Sequence, residues 1–481
     1  MPTKAPMKDL IIILPGILGS VLQKDGRDLW AISGDAIWDL IFRTGETINS
    51  LKLEQDDPEA EDLGDGVRPT ALIQDTHLVP GLWKIDGYTR TTKLITDNFE
   101  VTPGDIYKDP DDRPANFYQF PYDWRRDNRA NARILKKLVD KRLKCWREST
   151  KGSPEAKVIL MAHSMSGMES RYYLEVLEGW QDSRALFTFG TPYRGSLNAV
   201  NFLANGYKKL FLDLTEVMRS LTSIYQLLPI YQCLDINGEF HRIAETAGLP
   251  NIDQAKAQDA LAFHREIEAA VERHLQNDQY RDAFKVSPIV GVSQPTLQSA
   301  TLKDGLLSAS EALPAVLQGR ADLGDGDGTV PKVSAIPLEQ TSANDNFFVA
   351  ESHGAIQNQD QVLDNLRNIL RIDRFDLGAV RAPTKAISLR VEDLYTPAEP
   401  IAFKAKLIGT NSNKLTTTIE PVAGDRSPLQ LDFTQQNDDW SLTVDDLPAG
   451  LYRIAVIAED SQSQVPSAVH NVIVLLVGLN N

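Results

Sequence analysis

The sequence predicts an α/β fold followed by an all-β module, and three observations carry that expectation. First, Val158–Met161 is an apolar run that meets Ala162-His163-Ser164-Met165-Ser166-Gly167. This is the small-x-Ser-x-small pattern of a nucleophile elbow between a buried strand and a helix. Bulky side chains at Ala162 and Ser166 would clash in so sharp a turn, which lifts the Ser164 hydroxyl above the strand end. Second, Asp9–Leu14 is a continuous apolar strand that runs into Pro15-Gly16-Ile17-Leu18-Gly19-Ser20. Third, after Asp373 short alternating strands replace the helix–strand rhythm. Together these predict an α/β-hydrolase with cap insertions, then an immunoglobulin-like β-sandwich.

A serine nucleophile needs a base, and the base needs an orienting carboxylate. In α/β-hydrolases they follow in the order serine, acid, histidine, on loops after late strands. Val286–Val292 is a candidate strand, and beyond it lies the Asp-rich loop Gly324-Asp325-Gly326-Asp327-Gly328-Thr329-Val330-Pro331. Asp322, Asp325 and Asp327 are all candidates for the acid at this point. A cation site or a solvated turn is the alternative use of the loop, although the EF-hand spacing is absent. Phe347–Ala350 is a short apolar strand that ends in Glu351-Ser352-His353-Gly354, and Ile356, Val362, Leu366 and Ile369 then predict a helix. His353 is therefore delivered to a loop, where a base belongs. The other histidines have no comparable setting. No HExxH motif or paired cysteine occurs, so neither a metal nor another cofactor is expected. An early strand-to-loop segment supplies one oxyanion-hole amide in this fold, and the residue after the nucleophile supplies the other. Those backbone amides are Ile17 and Met165.

A family resemblance follows from LPGILGS near the start, FPYDWRRDNRAN at 120–131, AHSMSG at 162–167, FGTPYRGS at 189–196, VGVSQPT at 290–296, GDGTVP at 326–331 and His353. In this order they resemble the lecithin:cholesterol acyltransferase family, which also holds lysosomal phospholipase A2 and phospholipid:diacylglycerol acyltransferases. The resemblance runs from about Leu10 to Ile372, with gaps in the inserted regions, and the PYDWR block is its most specific element. It implies Ser164 as nucleophile, Asp327 as acid and His353 as base. Asp327 is chosen because it stands directly before Gly-Thr-Val-Pro, with Asp325 and Asp322 as fallbacks. Physically, Asp123 and Arg125 are expected to pair and pin a loop, with Trp124 packed beneath it.

At 481 residues the chain exceeds one average domain, and 42% hydrophobic residues supply ample core. The net charge of −16 argues against nucleic acid and against electrostatic attraction to anionic lipid. The N-terminal apolar run is short and reads as the first core strand rather than a signal peptide, and no stretch approaches the ~18 apolar residues of a spanning helix. Two cysteines, Cys145 and Cys233, are too few for a disulfide framework. Secreted relatives close a lid loop with a disulfide, but no cysteine lies between Ser20 and Ala115 here. A cytoplasmic location is the expectation, although a removed signal would leave the same sequence.

The catalytic domain is read as residues 1–380, with cap insertions at about 25–113 and 200–282. The first insertion carries Trp30, Trp38 and Phe42, an acidic run at Glu54–Asp65, and a helix from Tyr88 to Phe99. The second carries Leu210, Phe211, Leu214, Val217, Met218 and Leu221 at helical spacing. Two readings stay open for the aromatic pieces. One is ordinary cap packing; the other is peripheral membrane contact, which requires some of Trp30, Trp38 and Phe42 to be exposed. Arg381-Ala382-Pro383-Thr384 is the expected linker. Residues 385–481 form the sandwich, read as a spacer or as a docking module for a protein partner. Every candidate catalytic residue lies before Asp373, so a chain ending there is expected to hydrolyse a short soluble ester.

The reaction read from these residues is acyl transfer from a lipid or lipid-like ester, a glycerophospholipid by the resemblance, through an acyl-Ser164 intermediate. Water as acceptor makes a phospholipase or esterase, and an alcohol makes an acyltransferase; both use the same residues. The rival from another class is a non-catalytic lipid-binding or scaffold protein on the same fold. A protease of this fold is the weaker third reading, because nothing forms an obvious peptide groove.

Overall fold

The structure is a computed structural model. It describes residues 3–31, 49–73, 77–79, 83–85, 87–109, 113–209, 212–340, 347–371, 385–391, 394–395, 399–421, 427–437, 439–445, 447–459 and 468–474. Trp38, Phe42 and the linker at 381–384 lie outside the described residues.

The α/β part is built from β1 (Leu10–Leu14), α1 (Thr89–Asn98), β2 (Phe117–Gln119), α2 (Asn128–Glu148), β3 (Val158–His163), α3 (Ser166–Arg171), β4 (Ser183–Phe189), β5 (Lys285–Gly291), β6 (Phe347–Val349) and α4 (Asp360–Leu370). Its six strands form one sheet in the order β6-β5-β4-β3-β1-β2, and every pairing is parallel. Parallel strands covered on both faces read as unbroken apolar runs, which is why LIIIL and VILMAH look as they do. Alternation assigns their residues to opposite faces. Leu10, Ile12, Leu14, Val158, Leu160 and Ala162 join one core with Leu135, Val139, Leu143 and Trp146 of α2. Ile11, Ile13, Ile159 and Met161 join a second core with Ile95 of α1 and Val362, Leu366 and Leu370 of α4. The result is helix on both sides of the sheet, with β1, β3, β5 and β6 ending at the same edge.

The expected Asp123–Arg125 pair forms. Arg125 donates from Nε to Asp123 Oδ1 at 2.9 Å and from Nη2 to Oδ2 at 2.7 Å, and also reaches Asp65 at 2.8 Å. Trp124 packs edge-on against Trp30 at 5.5 Å and donates Nε1–H to the Ser20 carbonyl. Trp30 is 1% exposed, so of the three aromatics considered for membrane contact it is part of the core. The acidic run closes over the same block. Arg126 donates to Asp56 and to the carbonyls of Asp57, Ala60 and Glu61, and the Asp127 amide donates to Asp56.

One expected element differs. Leu210 and Phe211 lie outside the described residues; from Leu212 the expected helical run is instead a short strand at Leu212–Asp213 and a one-and-a-half-turn helix at Thr215–Ser220. Leu221 has extended ψ of 123° and ends one helix while starting the next, Thr222–Gln226. Periodic burial of Val217, Met218 and Leu221 survives because both short helices press on the same core.

The C-terminal part contains β7 (Ala386–Arg390), β8 (Ile401–Ile408), β9 (Leu415–Pro421), β10 (Leu429–Asp432), β11 (Thr434–Gln436), β12 (Asp439–Val444), β13 (Gly450–Ala458) and β14 (Ala468–Val474). One sheet runs β7-β8-β12-β11; the other runs from the two-residue strand Leu394–Tyr395 through β14-β13-β9-β10. Ile401, Phe403 and Ala405 point into the core between them while Ala402, Lys404 and Lys406 face outward, the alternation of a sandwich strand.

Replacing Arg125 by Ala leaves the Asp123 carboxylate buried without its cation. The expected loss is ~3–5 kcal/mol of unfolding free energy, read by urea denaturation; a loss below ~1 kcal/mol would show that the pair does not hold this loop.

Candidate active site

The turn from β3 into α3 holds Ser164 at φ +55°, in the left-handed region that non-glycine residues rarely adopt. The surroundings enforce it. Ser166 Oγ donates to the His163 carbonyl at 3.0 Å, Thr191 Oγ1 donates to the Ser164 carbonyl at 2.9 Å, and the Ser164 amide donates to Phe189. A Cβ on Gly167 would stand 2.0 Å from Thr191 Oγ1, so the helix can approach this closely only with glycine there.

The acid loop turns its own amides onto Asp327. Gly328 at φ +92° lets the chain double back, and the amides of Thr329 and Val330 donate to Asp327 Oδ1 at 2.9 and 2.7 Å. The other oxygen, Oδ2, stands 2.8 Å from His353 Nδ1, and the His353 amide donates to the Asp327 carbonyl at 2.8 Å. His353 Nε2 is 2.8 Å from Ser164 Oγ. A carboxylate only accepts, so Nδ1 carries the proton and Nε2 is free to accept from the serine hydroxyl. Ser164, Asp327 and His353, 5%, 1% and 4% exposed, are thus one hydrogen-bonded line. Gly190, at φ +58°, makes room for it: a Cβ there would lie 2.8 Å from Asp327 Oδ2 and 3.0 Å from His353 Nδ1.

Asp325 does not join the line. It has positive φ, its Oδ1 is buried without a hydrogen bond, and burial pushes its carboxyl up to about 6. Asp322 is exposed and pairs with Arg320. Of the three loop acids, only Asp327 meets His353.

The loop after β1 lies against Ser164, since a Cβ on Gly16 would be 3.0 Å from both Ser164 Cβ and His163 Nδ1. Met165 opens α3 directly after Ser164, where helix amides point toward the serine. No hydrogen bond within the described residues takes the amide of Ile17 or Met165.

Sequence reasoning missed His163 and Tyr88. The Gly16 amide donates to Tyr88 Oη at 2.7 Å, Tyr88 Oη is 2.9 Å from His163 Nδ1, and His163 Nε2 is 3.0 Å from the His353 carbonyl. A carbonyl only accepts, so Nε2 bears the proton, Nδ1 accepts, and the tyrosine donates to it. Burial, with His353 nearby, pushes the His163 imidazole down to about 3, so it stays neutral. This chain joins the loop after β1, the turn at Ser164 and the loop that carries His353. The same end of α1 is tied to the base side again, because Gln357 and Asn358 donate to the Gly87 carbonyl at 3.1 Å each. An alternating apolar–polar pattern gives no sign of partners 75 residues apart; only the proximity of His163 to Ser164 hinted at it.

The fold and this line of serine, histidine and carboxylate define an α/β-hydrolase-type site. The model of the lecithin:cholesterol acyltransferase family matches residues 112–303, so the resemblance seen in the motifs holds over that segment, and with it the general class of lipid-ester hydrolases and acyltransferases. Ser164 lies inside the match; Asp327 and His353 lie beyond it. No curated protein matches the chain. Among solved structures, the chain is similar to a Bacillus licheniformis lipase, BlEst2. In its propeptide form the identity is 13%, covering 95% of this chain and 72% of that one, with a TM-score of 0.34. In its mature form the identity is 13%, covering 77% and 96%, with a TM-score of 0.33. A redesigned β-sandwich protein is similar at 14% identity over 18% of this chain and 93% of that one, with a TM-score of 0.16.

Asp327→Asn is expected to lower kcat by up to ~10⁴, through loss of the correct His353 tautomer, whereas Asp325→Asn changes it little. Ester hydrolysis by both variants checks this, and equal losses would contradict the assignment. Tyr88→Phe removes the acceptor of the Gly16 amide and the donor to His163. It is expected to lower kcat about 10-fold or more, the scale of a buried donor left unmade, with KM nearly unchanged. A changed KM with intact kcat would mean that Tyr88 shapes binding instead.

Proposed function

We propose that this chain is a serine lipid hydrolase or acyltransferase that cleaves an ester of a glycerophospholipid through an acyl-Ser164 intermediate. The observation that carries this reading is the line Ser164 Oγ–His353 Nε2–Asp327, at 2.8 Å for each contact. In the forward step His353 Nε2 takes the Ser164 proton as Oγ forms a bond to the ester carbonyl carbon. Asp327 keeps the imidazole oriented and stabilises its positive charge. The carbonyl oxygen becomes an oxyanion, which the amides of Ile17 and Met165 receive. The carbonyl-to-alkoxy bond then breaks, and His353 returns the proton to the leaving lysolipid oxygen. An acceptor hydroxyl repeats the sequence in reverse and frees the serine. The lipid nature of the donor rests on the family match over residues 112–303. The acceptor, water or a long-chain alcohol, uses the same groups. The cap is the proposed face for lipid contact.

The test pairs a covalent probe with product identification. Wild-type protein is expected to react with a fluorophosphonate and Ser164→Ala is not, with the fold retained by circular dichroism. Vesicles of a defined phosphatidylcholine, with and without a long-chain alcohol, are expected to yield free fatty acid or the alkyl ester by mass analysis. Equal labelling of the two proteins would remove Ser164 as the nucleophile, and a labelled protein that releases no acyl product from vesicles would remove the phospholipid.

A further inference from the structure

The C-terminal sandwich meets the hydrolase at the loop that stands behind Asp327. After β5 the chain turns at Ser293, buried and at φ +70°, and brings Gln294 into the gap between the two parts with 7% exposure. The Gln294 backbone is bound to the acid loop. Its amide donates to the Gly326 carbonyl at 2.9 Å, and its carbonyl accepts from Thr296 Oγ1 at 2.9 Å. The same Thr296 oxygen accepts the Gly328 amide at 2.8 Å. Both neighbours of Asp327 are therefore held through this one segment.

The Gln294 side chain turns the other way. Its Nε2 donates to the Ile387 carbonyl at 3.3 Å, and its Oε1 accepts the Leu389 amide at 3.4 Å. Ile387 and Leu389 belong to β7, the edge strand of its sheet. Two residues apart on a strand, their main-chain groups point the same way, outward from β8. The primary amide presents one of its N–H donors and its carbonyl acceptor at the spacing of a peptide unit, so it meets the edge as a neighbouring strand would. A second contact, Arg390 to Glu311 at 2.6 Å, is exposed on both sides and does not touch the acid loop.

We propose that the sandwich is a working part of the candidate active site: its edge strand β7 holds Gln294, and Gln294 positions the loop that carries Asp327. The inference rests on the serine-hydrolase reading above. It reverses the expectation that a chain ending near Asp373 keeps its activity on short esters. Gln294 is a positioning residue and touches none of the reacting atoms. Without its anchor on β7, the turn through Ser293–Thr296 is released at one end, and the Asp327–His353 contact loses its fixed geometry.

The test uses the full chain and a short soluble ester. Gln294→Leu keeps the backbone ties and removes both side-chain bonds; kcat is expected to fall about tenfold, the scale of buried polar groups left unmade on Ile387 and Leu389, with KM changed by less than about twofold. Gln294→Glu supplies a readout that loose packing would not move. The introduced carboxyl can donate to the Ile387 carbonyl only when protonated. Its kcat relative to wild type at the same pH is expected to fall as pH rises through the carboxyl titration. Arg390→Ala, which breaks only the exposed pair, is expected to leave kcat unchanged. A Gln294→Leu kcat within about twofold of wild type, or a ratio for Gln294→Glu that is flat with pH, overturns the proposal; the second result does so even if the leucine variant fails to fold. If these variants behave as wild type while fluorophosphonate still labels Ser164, the positioning role fails and the function stands. If wild type is not labelled, both fail.

Discussion

A carboxylate removed from water is tolerated only when its oxygens are met by donors, and Asp327 is the group on which this site depends. It is 1% exposed, with two amides on one oxygen and an imidazole on the other. The fit leaves no space around it. A Cβ on Gly291 would stand 2.5 Å from Asp327 Cβ, one on Gly326 would stand 2.3 Å from the Val330 carbonyl, and Gly190 is limited by Asp327 and His353 together. Two strand ends, at Gly190 and Gly291, and the loop residue Gly326 thus give up side chains so that one carboxylate can be buried in a fixed direction. The serine contributes strained backbone to the same arrangement, and the strain is maintained by bonds from Thr191 and Ser166.

What was legible in the sequence was what local chemistry dictates. A strand covered on both faces must be apolar throughout, so β1 and β3 announced themselves. The turn at Ser164 requires small neighbours, and the turn after Asp327 requires Gly328, so both left marks within a few residues. The Asp123–Arg125 pair, two residues apart, was equally plain. The chain from Gly16 through Tyr88 and His163 to His353 left no mark beyond the place of His163 beside Ser164, because every link joins distant segments and each side chain by itself is common in a core. The apolar spacing at 210–221 was misleading for the opposite reason. Burial repeated at helical intervals, but the backbone at Leu214 and Leu221 departs from the helix, and two short helices share the work. Gln294 was invisible because nothing about a glutamine indicates that its partner is the edge of another domain.

The net charge of −16 also reads differently once the acidic run is located. Asp56, Glu59, Glu61 and Asp65 are directed inward and along the surface to Arg126, Arg133, Lys137 and Arg125. Part of the negative charge therefore fastens the first cap insertion to the start of α2. The buried members of this set, Arg125, Arg126 and Asp56, lie where dissolved salt screens weakly, while the outer pairs with Arg133 and Lys137 are open to it.

The contact at Gln294 also changes what the sandwich is as an independent object. An edge strand with unmatched main-chain groups is a template for another strand. Among the described residues that template is met by the Gln294 side-chain amide, which has no strand edge of its own with which to extend the sheet. Separated from the hydrolase, β7 would again present its open row to any extended segment, including the β7 of another copy. The glutamine is then a stopper for that edge, supplied by the same part of the chain that carries Asp327.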